Sequence, residues 1–257
     1  MIRSTAMSFV TALAVALSLG GCSSYSNSSD ADSEATLTVL AASSLTESFD
    51  ELAEQFESDH PGTTVNISYG SSSTLATQVI DGAPADVLAT ASPGSIEPVV
   101  NEGLTEDEPE VFASNSAAIA APAENPADLA TLDDLAAANV KVAVCVDTAP
   151  CGSVAADLFA EAGLDVTPVT EEVDVKSVLS KVTTGEVDAG VVYQTDVLTA
   201  SDDIYEVEIP GGISATTDYL IATLAESPNI DLAQQFTALV TSAGGQSLLT
   251  DAGFELP

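Results

Sequence analysis

The fold is decided by the stretch LTVLAASSLTESFDELAEQF, residues 37–56. Its first residues are mostly apolar and predict a buried strand. Apolar side chains then recur three and four positions apart, as on one face of a helix, at Phe49, Leu52, Ala53 and Phe56. The stretch therefore predicts a strand, a short polar turn and an amphipathic helix.

Two serines lie in the turn between this strand and this helix. Ser44 and Glu47 have the spacing of a capping box, in which both side chains bind backbone N–H groups of the first turn. A helix start also presents free N–H groups and the positive end of the helix dipole, which together attract anions. Two interpretations are open: Ser44 only caps the helix, or Ser43 and Ser44 belong to an anion site.

Residues 1–21 are predicted to be a signal peptide. Arg3 precedes an apolar run, residues 9–19, that is too short to span a bilayer comfortably. The run ends in Leu-Gly-Gly-Cys, which resembles a bacterial lipoprotein signal, so we expect cleavage before Cys22 and a lipid on Cys22. Residues 22–35 are rich in Ser, Asp and Asn and predict a disordered tether. The mature protein is expected outside the cytoplasmic membrane, anchored through this lipid alone.

Charge excludes one class of partner. The chain has 4 Lys and Arg residues against 40 Asp and Glu residues, a formal net charge of -36. Nucleic-acid binding is excluded because no basic patch can be assembled to neutralise phosphates. A small anion would have to be held by local N–H and O–H donors, because the overall field repels it.

Cys145 and Cys151 remain once Cys22 is assigned to the lipid. Outside the reducing cytosol, a disulfide across this short loop is favoured over two free thiols. The single histidine, His60, lies in a predicted loop, so no metal site is predicted from side-chain ligands.

The rest of the chain alternates predicted strands and helices. Strands are predicted at 64–69, 85–89, 117–121, 141–146 and 189–193, and helices at 75–80, 95–102, 131–138, 154–162, 174–182, 231–240 and 244–254. Short connections between them predict an α/β protein with parallel sheets, whose ligands bind at the carboxyl ends of the strands.

An enzyme is the alternative from another class. A serine hydrolase needs a nucleophile elbow and a histidine base, and the chain offers neither. Lys176 and Lys181 lie on a predicted helix without a serine motif, and the chain has no Trp for sugar stacking. A secreted α/β hydrolase stays open, but a binding protein without catalysis or cofactor needs fewer assumptions.

Five blocks of the chain resemble the molybdate-binding proteins of bacterial molybdate ABC transporters, and the likeness covers residues 37–254. They are LTVLAASSLTESFDELAEQFE (37–57), SYGSSSTLATQVIDGAPADVLATAS (68–92), Pro150-Cys151-Gly152, VDVKSVLSKVTTGEVDAGVVYQTDV (173–197) and GGQSLLTDAGF (244–254). The resemblance implies a type II periplasmic-binding-protein fold, in which two α/β lobes enclose a ligand cleft and are joined by two crossing strands. Lobe 1 would hold residues 36–114 and 214–257, and lobe 2 residues 115–213.

The resemblance also implies five ligand contacts. Ser44 and Ser72 would bind through hydroxyl and backbone N–H groups, Tyr193 through its phenol, and Cys151 and Val175 through backbone N–H groups. Molybdenum would be bound only as its oxyanion. The family commonly has alanine where this chain has Cys151, so the favoured disulfide would stiffen a loop that supplies a donor.

The implied function is capture and delivery without chemistry. A monomeric extracytoplasmic lipoprotein would capture molybdate, and also tungstate, and hand it to a membrane permease driven by a cytoplasmic ATPase. A binder of sulfate or another small oxyanion with the same fold is the alternative.

Overall fold

A computed structural model describes residues 35–257. The predicted signal peptide, the lipid site at Cys22 and all but the last residue of the tether lie outside this range. The strands are β1 (Ala35–Ala42), β2 (Thr63–Gly70), β3 (Val87–Thr90), β4 (Glu110–Pro122), β5 (Val142–Cys145), β6 (Thr170–Glu172), β7 (Ala189–Tyr193), β8 (Ile204–Val207) and β9 (Thr216–Thr223). The helices are α1 (Thr46–Asp59), α2 (Ser72–Ile80), α3 (Pro93–Asn101), α4 (Pro150–Ala162), α5 (Val175–Thr183), α6 (Gln194–Thr199), α7 (Ile230–Thr241) and α8 (Ala243–Asp251).

The strands form one mixed sheet in the order β2-β1-β3-β9-β4-β7-β5-β6, with β8 added on β4. Two groups within it are parallel: β1 with β2 and β3, and β5 with β6 and β7. The α/β class is confirmed, and the predicted parallel pairing is found in these two groups but not across the whole sheet. β9 pairs antiparallel with β3 and β4, and β4 pairs antiparallel with β7 and β8.

The long strand β4 explains this difference. Its first half, residues 110–116, pairs with β9, and its second half, residues 117–122, lies between β7 and β8. The sequence predicted only residues 117–121 as a strand and did not predict β9. The predicted helix at 131–138 is a 3-10 turn, Leu132–Ala136.

Buried apolar side chains form three clusters. One draws its residues from 117–215, and the other two draw theirs from 37–113 and 219–254. Because side chains alternate along a strand, Leu37 and Val39 of β1 join one of these two clusters and Leu40 joins the other. The two groups of parallel strands therefore have separate cores.

Helix α1 packs as its apolar spacing predicts. Phe49, Leu52 and Phe56 are buried, and the rings of Phe49 and Phe56 lie 6.0 and 5.4 Å from the ring of Phe236 on α7. These edge-on contacts hold α1 over the sheet, so that its start stays at the carboxyl end of β1. No helix of residues 35–257 is long and apolar enough to cross a membrane.

Candidate functional site

One small cavity lies where four segments begin their first helical turn: the 3-10 turn Ser43–Leu45, α2, α4 and α5. The cavity volume is about 10 Å³. This is room for about one water-sized group, and it is too small for a sugar or a peptide. All five residues implied by the sequence resemblance line it: Ser44, Ser72, Cys151, Val175 and Tyr193.

Ser44 does not cap α1, so the predicted capping box is wrong. The chain makes a 3-10 turn, Ser43–Leu45, before α1 begins at Thr46, which moves the helix start two residues past Ser44. The Ser44 hydroxyl instead lies 2.7 Å from the phenolic oxygen of Tyr219. Glu47, in the first turn of α1, forms an ion pair with Lys176.

Ser72 is held in place by the backbone of a neighbouring strand end. It is buried at the first residue of α2, and its Oγ accepts a hydrogen bond from the N–H of Ala91 at 2.9 Å. Because this bond uses a lone pair, the hydroxyl proton is left to donate. Ser72 can therefore bind an acceptor in the cavity without giving up its structural bond.

The phenol of Tyr193 is a buried donor at the edge of the cavity. The residue ends β7 and is 2% exposed, and its hydroxyl oxygen has no hydrogen-bond partner among the described residues. Burial raises the pKa of Tyr193 well above its usual value, so the phenol stays neutral and able to donate. A buried hydroxyl without a partner costs about 1 to 3 kcal/mol, which an anion in the cavity would remove.

The starts of α4 and α5 add backbone donors at Cys151 and Val175. First-turn N–H groups have no partner inside their own helix. The predicted start of α5 is confirmed: Asp174 is its N-cap and accepts the Ser177 N–H at 2.8 Å. Asp174 also lines the cavity, a carboxylate that sequence reasoning had not included.

A disulfide ties the first turn of α4 to the end of β5. Cys145 and Cys151 are joined, with their Cα atoms 5.6 Å apart. Both residues are buried, and the bond closes the loop that leads from β5 to the cavity. The alternative of two free thiols does not apply to this structure.

Lys176 lies next to the cavity residue Val175 but is occupied by carboxylates. Its Nζ lies 2.8 Å from Glu47 of α1 and 3.2 Å from Asp196 of α6. Burial opposes the charge, but Asp196 and Glu47 outweigh it and raise the pKa of Lys176. A lysine base must lose its proton, so this one is unsuited to the hydrolase alternative.

Residues 37–255 match a family model described as bacterial extracellular solute-binding protein. The chain belongs to this family. The likeness to relatives runs over nearly the full length. This solute-binding protein is 37% identical over 254 residues to the molybdate-binding protein ModA of Mycobacterium tuberculosis, covering 96% of this chain and 97% of the relative.

Solved structures agree with the fold. The periplasmic molybdate-binding protein of Azotobacter vinelandii superposes with a TM-score of 0.76 at 21% identity, over 86% of this chain and 99% of that one. The substrate-binding domain assigned to a molybdenum ABC transporter of Clostridium difficile gives 0.65 at 25% identity, over 87% and 99%. The family resemblance and the periplasmic-binding-protein fold inferred from the sequence are confirmed.

Proposed function

We propose that this protein captures molybdate or tungstate outside the cytoplasmic membrane and delivers it to the permease of an ABC transporter. The observation that carries the proposal is the buried phenol of Tyr193, which lines the same cavity as Ser44 and Ser72 and has no hydrogen-bond partner within residues 35–257. A tetrahedral dianion offers four acceptor oxygens to these donors. The small cavity and the molybdate-binding relative at 37% identity support this ligand over larger solutes.

The proposed ligand contacts are five of the residues that line the cavity. The hydroxyls of Ser44, Ser72 and Tyr193 would donate to the anion, together with the backbone N–H groups of Cys151 and Val175. Donors of this kind suit a protein of net charge -36, because they bind an anion locally without a basic patch.

Capture would work by closing two lobes. We propose lobe 1 at residues 36–114 and 214–257 and lobe 2 at residues 115–213, joined by β4 and β9. The separate apolar clusters support this division. Ser44 and Ser72 would then come from lobe 1 and the other three contacts from lobe 2, so that only the closed form satisfies all donors at once.

The partners follow from the same proposal. Cys22 would carry a lipid that anchors a monomer to the membrane, and a permease with its ATPase would receive the anion. No catalysis and no cofactor are proposed, since Lys176 is engaged by two carboxylates and the ligand leaves unchanged. Sulfate or another small oxyanion remains the alternative ligand.

Calorimetric titration with four anions tests the ligand. We expect tungstate to bind like molybdate, because the two have similar, long metal–oxygen bonds. Sulfate is smaller, so it cannot reach every donor at good length, and each buried donor left unpaired costs about 1 to 3 kcal/mol. Sulfate should therefore bind about 10- to 100-fold more weakly, and hydrogen phosphate more weakly still.

Each other outcome has a defined meaning. Equal affinities for sulfate and molybdate would replace the assignment by a general oxyanion binder. No binding of any of the four anions, by a protein that melts cooperatively, would reject the proposed function. Thermal melting with each anion gives an independent reading, because a ligand of the folded state raises its stability.

Substituting the two serines tests the site itself. Ser44→Ala and Ser72→Ala should each weaken molybdate binding by about 1.5 to 3 kcal/mol, since each removes a hydrogen bond to a charged group. Ser48→Ala is the matched control, because Ser48 is a buried serine that donates to Leu45 away from the cavity. If all three variants bind molybdate like the parent and differ only in melting temperature, the serines are structural.

A further inference from the structure

Ser44 is linked through Tyr219 to Asn115 by hydrogen bonds whose donors and acceptors can be assigned. The side-chain oxygen of Asn115 accepts the N–H of Ser116 at 3.0 Å, which fixes how the amide is turned. Its nitrogen therefore faces Thr195 Oγ1 at 2.9 Å and the phenolic oxygen of Tyr219 in a longer contact of 3.5 Å. An amide nitrogen can only donate, so the phenolic oxygen of Tyr219 is the acceptor in this contact.

Tyr219 in turn donates a hydrogen bond to Ser44. Tyr219 is completely buried, and burial raises the pKa of its phenol, which therefore keeps its proton. Ser44 Oγ lies within hydrogen-bond distance of that proton, at 2.7 Å. The phenol of Tyr193 is also near Tyr219, but it makes no hydrogen bond with any described residue. Ser44 accepts from Tyr219, and its own proton is left for the cavity.

We propose that Tyr219, held by Asn115, is a specificity-determining positioning residue that fixes Ser44 as a donor and so selects fully deprotonated oxyanions. The inference rests on the proposed function, because it concerns the anion in that cavity. Ser72 is also left with its proton free to donate to the anion. Its acceptor side is occupied by the backbone N–H of Ala91, which a side-chain substitution leaves in place. Tyr219 is thus the side chain whose substitution can change whether Ser44 donates to the anion or accepts from it.

The physical reason lies in the proton that some oxyanions carry. Hydrogen phosphate must donate that proton to an acceptor, whereas molybdate has none to donate. In the parent protein one Ser44 lone pair accepts the hydrogen bond from Tyr219, so the Ser44 proton points into the cavity and would meet the proton of hydrogen phosphate. Removing the phenolic hydroxyl lets the Ser44 hydroxyl rotate, so that it can turn a lone pair toward the anion.

Tyr219→Phe keeps the ring and removes the hydroxyl. Titration with molybdate and with hydrogen phosphate at mildly alkaline pH should show the ratio of their dissociation constants narrowing by about tenfold, the value of one hydrogen bond. Molybdate should bind more weakly and phosphate no more weakly than in the parent. Asp174 lines the cavity in both proteins, so the change in ratio reports Ser44.

Two further variants keep the test decisive. Asn115→Leu fills the buried volume but removes the donor to Tyr219, and it should also narrow the ratio of the two dissociation constants. It replaces Tyr219→Phe in the test if that variant does not fold. Tyr69→Phe is the matched control, because its phenol donates to Thr46 and Asp50 away from the cavity. It should alter stability and leave the ratio unchanged.

The outcomes separate this inference from the proposed function. A parent protein that binds no molybdate would remove the function on which the inference rests. A parent that binds molybdate, with a Tyr219→Phe variant whose two affinities are unchanged or fall by the same factor, would overturn the inference alone. A lower melting temperature with an unchanged ratio would make Tyr219 purely structural.

Discussion

Replacing Lys176 by methionine is expected to lower the free energy of unfolding by about 3 to 5 kcal/mol. The side chain of Asp196 is completely buried, and Lys176 is the cation that pairs with it, 3.2 Å away. Methionine keeps most of the packing of the lysine stem but leaves the Asp196 carboxylate in the interior without a counter-charge. Urea denaturation of parent and variant at neutral pH gives the difference.

The control for this prediction is the other partner of Lys176. The side chain of Glu47 is 47% exposed, so Glu47→Gln breaks a solvent-screened pair and should cost less than about 1 kcal/mol. The large effect is therefore assigned to the buried carboxylate and not to the number of ion pairs. Equal losses in Lys176→Met and Glu47→Gln would contradict this assignment.

The pH dependence of the Lys176→Met variant has a defined sign. Burial already raises the pKa of Asp196 above its usual value, and removal of Lys176 should raise it further. Between the ordinary aspartate pKa and this raised pKa, the folded state binds a proton that the unfolded state does not. The variant should therefore recover stability as the pH falls through the raised pKa, and the gap to the parent should narrow.

Local periodicity predicted the elements whose contacts lie close together in the sequence. Helix α1 is an example, because the apolar spacing of Phe49, Leu52 and Phe56 by itself defines its buried face. Strand β9 was not predicted, although residues 219–223 are buried one after another like those of the predicted strand β7. Its place between β3 and β4 depends on pairing over long sequence distances, which no local pattern reports.

The site could be predicted only in part for the same reason. Strand-to-helix turns and hydroxyl residues pointed to helix starts, and the family resemblance named which of them bind. The capping box at Ser44 had the correct spacing, but the 3-10 turn before α1 gave this serine a different partner. That partner, Tyr219, lies 175 positions away, and nothing near Ser44 in the sequence indicates it.

Replacing Gly152 by alanine is expected to damage both the fold and the anion site. A Cβ at this position would lie 1.9 Å from the carbonyl oxygen of Val146 and 2.9 Å from that of Cys145. Both are backbone atoms, so no side-chain rotation relieves the contact, and α4 would have to move away from β5. We expect a loss of about 3 kcal/mol of stability, at the upper end for an overpacked core position.

The disulfide makes this displacement harder to accommodate. Cys151 precedes Gly152 and is bonded to Cys145, so the first turn of α4 cannot shift without pulling on the end of β5. The backbone N–H of Cys151, a proposed donor to the anion, would be displaced together with it. Molybdate affinity should therefore fall by about tenfold or more, as expected for one lost hydrogen bond to a charged group.

Gly94→Ala is the matched control for Gly152→Ala. Gly94 also lies in the first turn of a helix, α3, but a Cβ there meets no atom within 4 Å. This variant should be as stable as the parent or more stable by about 0.4 to 1 kcal/mol, because alanine restricts the unfolded chain. Denaturation and molybdate titration of both variants separate a general glycine effect from the contact at β5.

If the disulfide is what prevents the first turn of α4 from moving, Gly152→Ala should cost less stability in a Cys145→Ser, Cys151→Ser background. An equal cost in that background would assign the whole effect to the backbone contact.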